Sequence, residues 1–182
     1  METIEIVTVT DDNYAQHLGV MLTSLFENKK SLNKVQIYVI NDGIAFSNKE
    51  KLVRIVEKYE GNIKFININP TKFKDLAVKN HMSHAVYYKI AIPEILEDIE
   101  KAIFLDCDLI IKGDITDLWN ISLEDKYLAA VENPGFNRYE QLGIPIGSKT
   151  FNSGVMVLNL KLWRKTKIYK EVFEFLQANS HR

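Results

Sequence analysis

Two aspartates stand one residue apart in FLDCD (104–108), directly after an apolar run, and a third, Asp114, follows a glycine. Carboxylates held close repel each other and burial raises the cost, so solvent or a cation must cover them. If the chain stays extended, Asp106 and Asp108 point to the same side. Two carboxylates so placed suit a hard divalent cation, which neutralises them and keeps coordination positions for a diphosphate. A solvated acidic turn, or an N-cap for a short helix near 114–119, accounts for the same residues structurally. Near the N-terminus, TDDNY (10–14) offers Asp and Asn side chains to base and ribose groups, and Tyr14 as a stacking face. Capping of the next helix by Asp12 or Asn13 is the structural alternative there.

Both clusters need elements to position them. IEIVTVT (4–10), VQIYVIND (35–42), IKFINI (63–68) and KAIFLD (101–106) read as strands, the last continuous in apolar character and so central. Between them, residues 14–30 carry Leu18, Met21, Leu22 and Leu25 at helical spacing. A second helix starts at SNKE, with Ser47 as N-cap, Glu50 completing a capping box and Gly61 past its end. A third spans 83–100, with a bend expected before Pro93. Alternation of strand and helix predicts an α/β fold with parallel strands and right-handed crossovers. The regularity then breaks into a strand at 126–132, a long polar loop at 133–150, a strand at 154–160 and a helix at 168–180. A loop this long inside a domain is more often functional than idle. In open α/β sheets ligands bind outside the carboxyl ends of strands, where TDDNY, Asn41-Asp42-Gly43 and Asp106-Cys107-Asp108 all fall.

The remaining composition excludes more than it selects. The 182 residues suit one domain, and the net charge of −1 provides no basic footprint for general nucleic-acid binding. The lone cysteine, Cys107, precludes an intramolecular disulfide, and no Cys/His cluster suggests structural zinc. Neither G-x-G-x-x-G nor G-x-x-x-x-G-K-[ST] occurs, which argues against dinucleotide dehydrogenases and P-loop enzymes. No apolar run reaches spanning length and METIEIVTVTDD lacks signal-peptide character, so the default expectation is a cytoplasmic protein.

Four separated segments together resemble glycosyltransferase family 8, the retaining enzymes of the GT-A nucleotide-sugar fold. They are VTVTDDNYAQHLGVMLTSL, SHAVYYKIAIPEIL, KAIFLDCDLIIKGDITDLWN and FNSGVMVLNLKLWR, in the family's order and at fitting separations. The resemblance implies a single GT-A domain over 1–182, built on a mostly parallel mixed sheet flanked by helices. It implies transfer of a hexose, galactose or glucose, from a UDP-sugar to a saccharide or lipooligosaccharide acceptor. In that reading Asp11 and Asn13, with Tyr14 and the backbone near Val9 and Thr10, hold the nucleoside. Asp106 and Asp108 ligate Mn2+, with Mg2+ as the alternative, and Asp106 also reaches the ribose. Cys107 between them requires only a small side chain. Lys89 stands where the family usually has an arginine near donor sugar and diphosphate, and it lacks the guanidinium's planar fork. His81, Asn152 and Ser153 match positions around the donor pocket, Gly154 permits close backbone approach, and Glu132 opens a variable acceptor-facing loop. An exposed helix lysine, a structural histidine and a core strand with a polar entrance are the plainer readings of Lys89, His81 and 152–154.

The family pattern continues past Arg182, with an Asp-Gln pair at the reaction centre and a histidine completing the metal shell. The resemblance therefore implies that the chain lacks the family's C-terminal part, that its catalytic residues lie outside 1–182, and that the chain alone binds UDP weakly in a Mn2+-dependent way. A UDP-sugar-binding unit without turnover is the companion reading, and peripheral contact with the inner membrane face through a missing segment stays open. A nucleotidyltransferase also uses acidic metal ligands on an α/β sheet, but TVTDDNY is not the Gly-rich basic loop such enzymes carry.

Overall fold

A computed structural model describes residues 2–73, 76 and 85–179. In chain order the elements are β1 (Thr3–Thr10), α1 (Ala15–Asn28), β2 (Lys34–Asn41), α2 (Phe46–Lys58), β3 (Asn62–Asn67) and a 3-10 turn at Pro70–Phe73. Then come α3 (Ala85–Ile95), β4 (Lys101–Leu105), α4 (Ile115–Trp119), β5 (Leu128–Glu132), α5 (Tyr139–Leu142), β6 (Phe151–Asn159), α6 (Leu160–Thr166) and α7 (Ile168–Ala178). One six-stranded sheet runs in the order β3-β2-β1-β4-β6-β5. β3, β2, β1 and β4 are mutually parallel, whereas β6 is antiparallel to both β4 and β5. The sheet is therefore mixed and mostly parallel, with β1 and β4 in its middle.

Period-2 alternation sends the two faces of β1 to different layers. Ile4 and Ile6 pack with Leu18, Leu22 and Leu25 of α1 and Leu52 and Val56 of α2. Val7 packs on the other face with Tyr88, Ala91 and Ile92 of α3, together with Ala102 and Phe104 of β4. Ala102, Ile103 and Phe104 are completely buried, as the unbroken apolar run of a central strand requires.

Several expected boundaries move, each for a local reason. α2 begins at Phe46, with Ala45 as N-cap and no capping bond from its own side chains, so Ser47 does not cap it and no capping box forms. Its first turn is held instead by Asp12, whose Oδ1 accepts from the Ala45 amide at 2.8 Å and from the Asn48 side chain at 2.8 Å. α1 starts at Ala15 with Tyr14 as N-cap, so neither Asp12 nor Asn13 caps it; Asp11 Oδ1 accepts from the Tyr14 amide at 2.9 Å. α3 ends at Ile95 rather than near 100, and Pro93 lies within it. Arg164 explains that ending: its guanidinium donates to the carbonyls of Pro93 (3.3 Å), Leu96 (2.9 Å) and Ile99 (2.7 Å), taking up groups a longer helix would have used. β6 starts at Phe151, three residues before the expected strand, and the short helices α5 and α6 divide segments read as loop or connection. The expected cap near 114 is present: Asp114 accepts from the amides of Thr116, Lys30 and Ser31, each at 3.0 Å, tying α4 to the end of α1.

Candidate donor-binding site

The site gathers at the carboxyl ends of β1, β2 and β4, where parallel strands stop and their last residues escape the ladder. At the end of β4 the chain leaves the sheet with one further bond, Asp106 N to Gly154 O at 2.8 Å. Because β6 runs against β4, its first residues rather than its last arrive here. Gly154 packs closely here: a Cβ on it would lie 2.7 Å from Asp106 Oδ2 and 3.0 Å from Asn152 Oδ1, so these side chains would have to shift. Asn152 Oδ1 accepts from the Gly154 amide at 2.7 Å, which folds the strand entrance tightly against the carboxylate.

Lys89 reaches this point from α3. Its Nζ lies 3.0 Å from Asp106 Oδ1, 3.1 Å from the Ser153 carbonyl and 3.4 Å from Ser153 Oγ. It also sits 4.5 Å from the centroid of the Phe104 ring. The Lys89 side chain is only 18% exposed, against 41% for Asp106, so this is not a solvated surface lysine. Asp108 is exposed and makes no hydrogen bond or ion pair among the described residues. Cys107 between the aspartates is half-buried; burial pushes its thiol up, partly offset by a hydrogen bond with the Thr10 side chain.

At the end of β1, Val9 is half-buried and Thr10 buried, while Asn13 and Tyr14 are exposed. Asn13 Nδ2 donates to Asp11 Oδ2 at 3.5 Å, leaving the turn open to solvent. Tyr14 and His17 face each other with ring centroids 5.1 Å apart. At the end of β2 the Asp42 amide donates to Thr10 O at 3.0 Å, and Tyr88 donates from its hydroxyl to Asp42 Oδ1 at 3.2 Å. Burial, then the Asp42 charge, pushes the Tyr88 hydroxyl up to about 12, so it remains a donor across the physiological range. Tyr88 and Lys89 are thus adjacent arms of α3, one fixing β2 and the other β4. The Tyr88–Asp42 link was missed in the sequence; its only signal was Asp42 at a strand end.

Glu132 ends β5 opposite Phe151 and lies 3.9 Å from Lys149 across the neck of the 133–150 loop. The neck is closed by Asn133 N donating to Thr150 O at 2.8 Å. Geometry therefore brings together Lys89, Asp106, Asn152 and Ser153. Asp11, Asn13 and Tyr14 stand at the neighbouring strand end and Glu132 at the loop. His81 lies outside the described residues.

Hard divalent cations take oxygen ligands, and the oxygens of Asp106 and Asp108 are of that kind. Among the described residues no group of three or more His, Cys, Asp or Glu side chains is arranged to hold a metal, and no helix is long and apolar enough to cross a membrane.

The mixed, mostly parallel sheet with helices on both faces and acidic residues at the end of a central strand has the architecture of the GT-A fold. The solved structure of the galactosyltransferase LgtC in complex with donor and acceptor sugar analogues superimposes with a TM-score of 0.80, at 27% identity over 95% of this chain and 66% of that one. The chain belongs to glycosyl transferase family 8, whose sequence profile matches residues 5–182. It is 35% identical to general stress protein A of Bacillus subtilis (strain 168), over 99% of this chain and 63% of that protein. It is 26% identical to the lipopolysaccharide 1,2-glucosyltransferase of Escherichia coli K12, over 99% of this chain and 54% of the relative. The chain thus spans roughly three-fifths or less of the length of these curated relatives.

Proposed function

We propose that this chain forms the donor-binding part of a retaining hexosyltransferase that moves galactose or glucose from a UDP-sugar to a saccharide acceptor with the help of Mn2+. The observation that carries the proposal is the Asp106 carboxylate at the end of the central strand, backed by Gly154, flanked by exposed Asp108 and faced by the Lys89 ammonium at 3.0 Å. Family membership and the likeness to LgtC support the reading.

In this mechanism Asp11 and Asn13 orient the ribose and base, and Tyr14 provides a stacking face. Asp106 and Asp108 would hold the cation, which when bound acts as a Lewis acid on the departing diphosphate. Lys89 adds a positive charge beside the same diphosphate, and its four-carbon stem lets the ammonium follow the group as charge develops. Asn152 and Ser153 border the donor sugar, while Glu132 and the loop after it face the acceptor.

Calorimetric titration of UDP with and without Mn2+ tests the metal bridge. The expected outcome is binding that Mn2+ strengthens and that Asp106→Ala and Asp108→Ala each abolish. Equal affinity with and without the metal removes the bridge. Product formation from UDP-galactose or UDP-glucose separates transfer from a UDP-sugar-binding unit without turnover.

A further inference from the structure

We propose that Lys89 is an internal counter-ion that withholds Asp106 from a free divalent cation, so that the site takes its metal together with the nucleotide and not before it. This rests on the reading of Asp106 and Asp108 as the metal carboxylates.

An ammonium has three N–H donors and no acceptor. Three oxygens surround Lys89 Nζ: Asp106 Oδ1, the Ser153 carbonyl and, at a longer 3.4 Å, Ser153 Oγ. Oxygens from a carboxylate, a carbonyl and a hydroxyl are also what a hard cation seeks, so the ammonium already sits where positive charge is satisfied. Phe104 adds its ring, 4.5 Å away, beneath the same charge. The other oxygen of Asp106 lies on the Gly154 side, where a Cβ would come within 2.7 Å of it. A cation approaching Asp106 therefore meets Oδ1 already engaged, and a like charge beside it.

Removing Lys89 from Asp106 takes another anion, and a nucleoside diphosphate is the anion this site is read to receive. Lysine is a mobile point charge that binds phosphate oxygens well. When the diphosphate accepts the ammonium, Asp106 Oδ1 is released for the metal, and the same diphosphate supplies further metal-binding oxygens. Metal and nucleotide affinities are then linked through one side chain, and the linkage must be reciprocal.

Mn2+ titration followed by the electron paramagnetic resonance signal of free aqueous Mn2+ tests this, with Mn2+ alone and with Mn2+ plus UDP. In the unmodified chain Mn2+ alone binds weakly and UDP strengthens it. Lys89→Met binds Mn2+ alone about tenfold more tightly, the direction expected when a neighbouring like charge is removed, yet loses affinity for UDP in its presence. Lys89→Arg keeps the charge and keeps the weak binding of Mn2+ alone. Unchanged or weaker binding of Mn2+ alone by Lys89→Met overturns the inference, while UDP-strengthened Mn2+ binding in the unmodified chain leaves the metal reading standing. Failure of the unmodified chain to bind Mn2+ even with UDP removes both. A second measurement needs no charge-removing variant: the Lys89 side-chain ammonium resonance, assigned through its loss in Lys89→Arg. Mg2+ alone should leave it in place and Mg2+ with UDP should shift it; a shift with Mg2+ alone also overturns the inference.

Discussion

Gly154 and Glu5 show how much single side chains decide in this chain. At Gly154 the missing Cβ is what leaves Asp106 its place, because adding one puts a carbon 2.7 Å from Asp106 Oδ2. Gly154→Ala should therefore displace the Asp106 carboxylate and weaken Mn2+-dependent UDP binding by about tenfold or more, the scale that follows from small misplacements at a reacting centre. Calorimetry on the variant checks this, with thermal unfolding showing whether the fold survives. Glu5 works in the opposite sense. It lies in β1, half-buried, with Oε2 unpartnered among the described residues. Burial raises its pKa, partly offset by a hydrogen bond from Tyr38. A carboxyl raised in the folded state contributes stability below its unfolded value of 4.5 that is lost as pH rises through the higher folded value. Glu5→Gln should match the parent near pH 4 and exceed it in stability at pH 7, read by denaturant unfolding at the two pH values.

Helix α3 is the element on which the site depends most, and it is tied down at both ends of its useful length. Tyr88 and Lys89 reach the ends of β2 and β4, and Arg164 of α6 holds the three carbonyls where α3 stops. Arg164→Met leaves those carbonyls without their charged donor and should cost about 2–3 kcal/mol of stability. It should also weaken UDP binding, since Lys89 then rides on a looser helix; denaturant unfolding and calorimetry report the two effects separately. Most of this frame was legible beforehand. Periodicity identified the four parallel strands and the helices between them, because each is a two-layer element whose buried face repeats at 2 or 3.6 residues. Asp106 and Asp108 stood out in the sequence because two charges at the end of an apolar strand demand a partner, and for Asp106 the structure provides one in Lys89. What escaped was long-range. Asp12 holds α2 across 33 residues of chain, so the nearby Ser47 and Glu50 looked like the cap. Arg164 ends α3 from 71 residues away, and no local pattern announces that. Helix α6 was missed because seven residues offer too few turns for periodicity to show.

Across the whole molecule, stability is distributed unevenly, and the site borders the firm part. Every residue of β4 from Ala102 to Leu105 is buried, whereas α7 buries none of its residues fully. Local opening should follow that gradient. Native-state hydrogen exchange should find β4 amides exchanging only with global unfolding and α7 amides exchanging orders of magnitude faster; uniform protection across both would contradict it. The reversed direction of β6 has a further consequence for what this architecture can become. The segment 133–150 enters and leaves at one pinned point, Asn133 to Thr150, and hands over directly to Asn152 and Ser153 beside the carboxylates. The β5–β6 connection is thus a cassette: its contents can be exchanged wholesale while the strands that flank it keep their register, and new side chains arrive next to an unaltered pair of carboxylates.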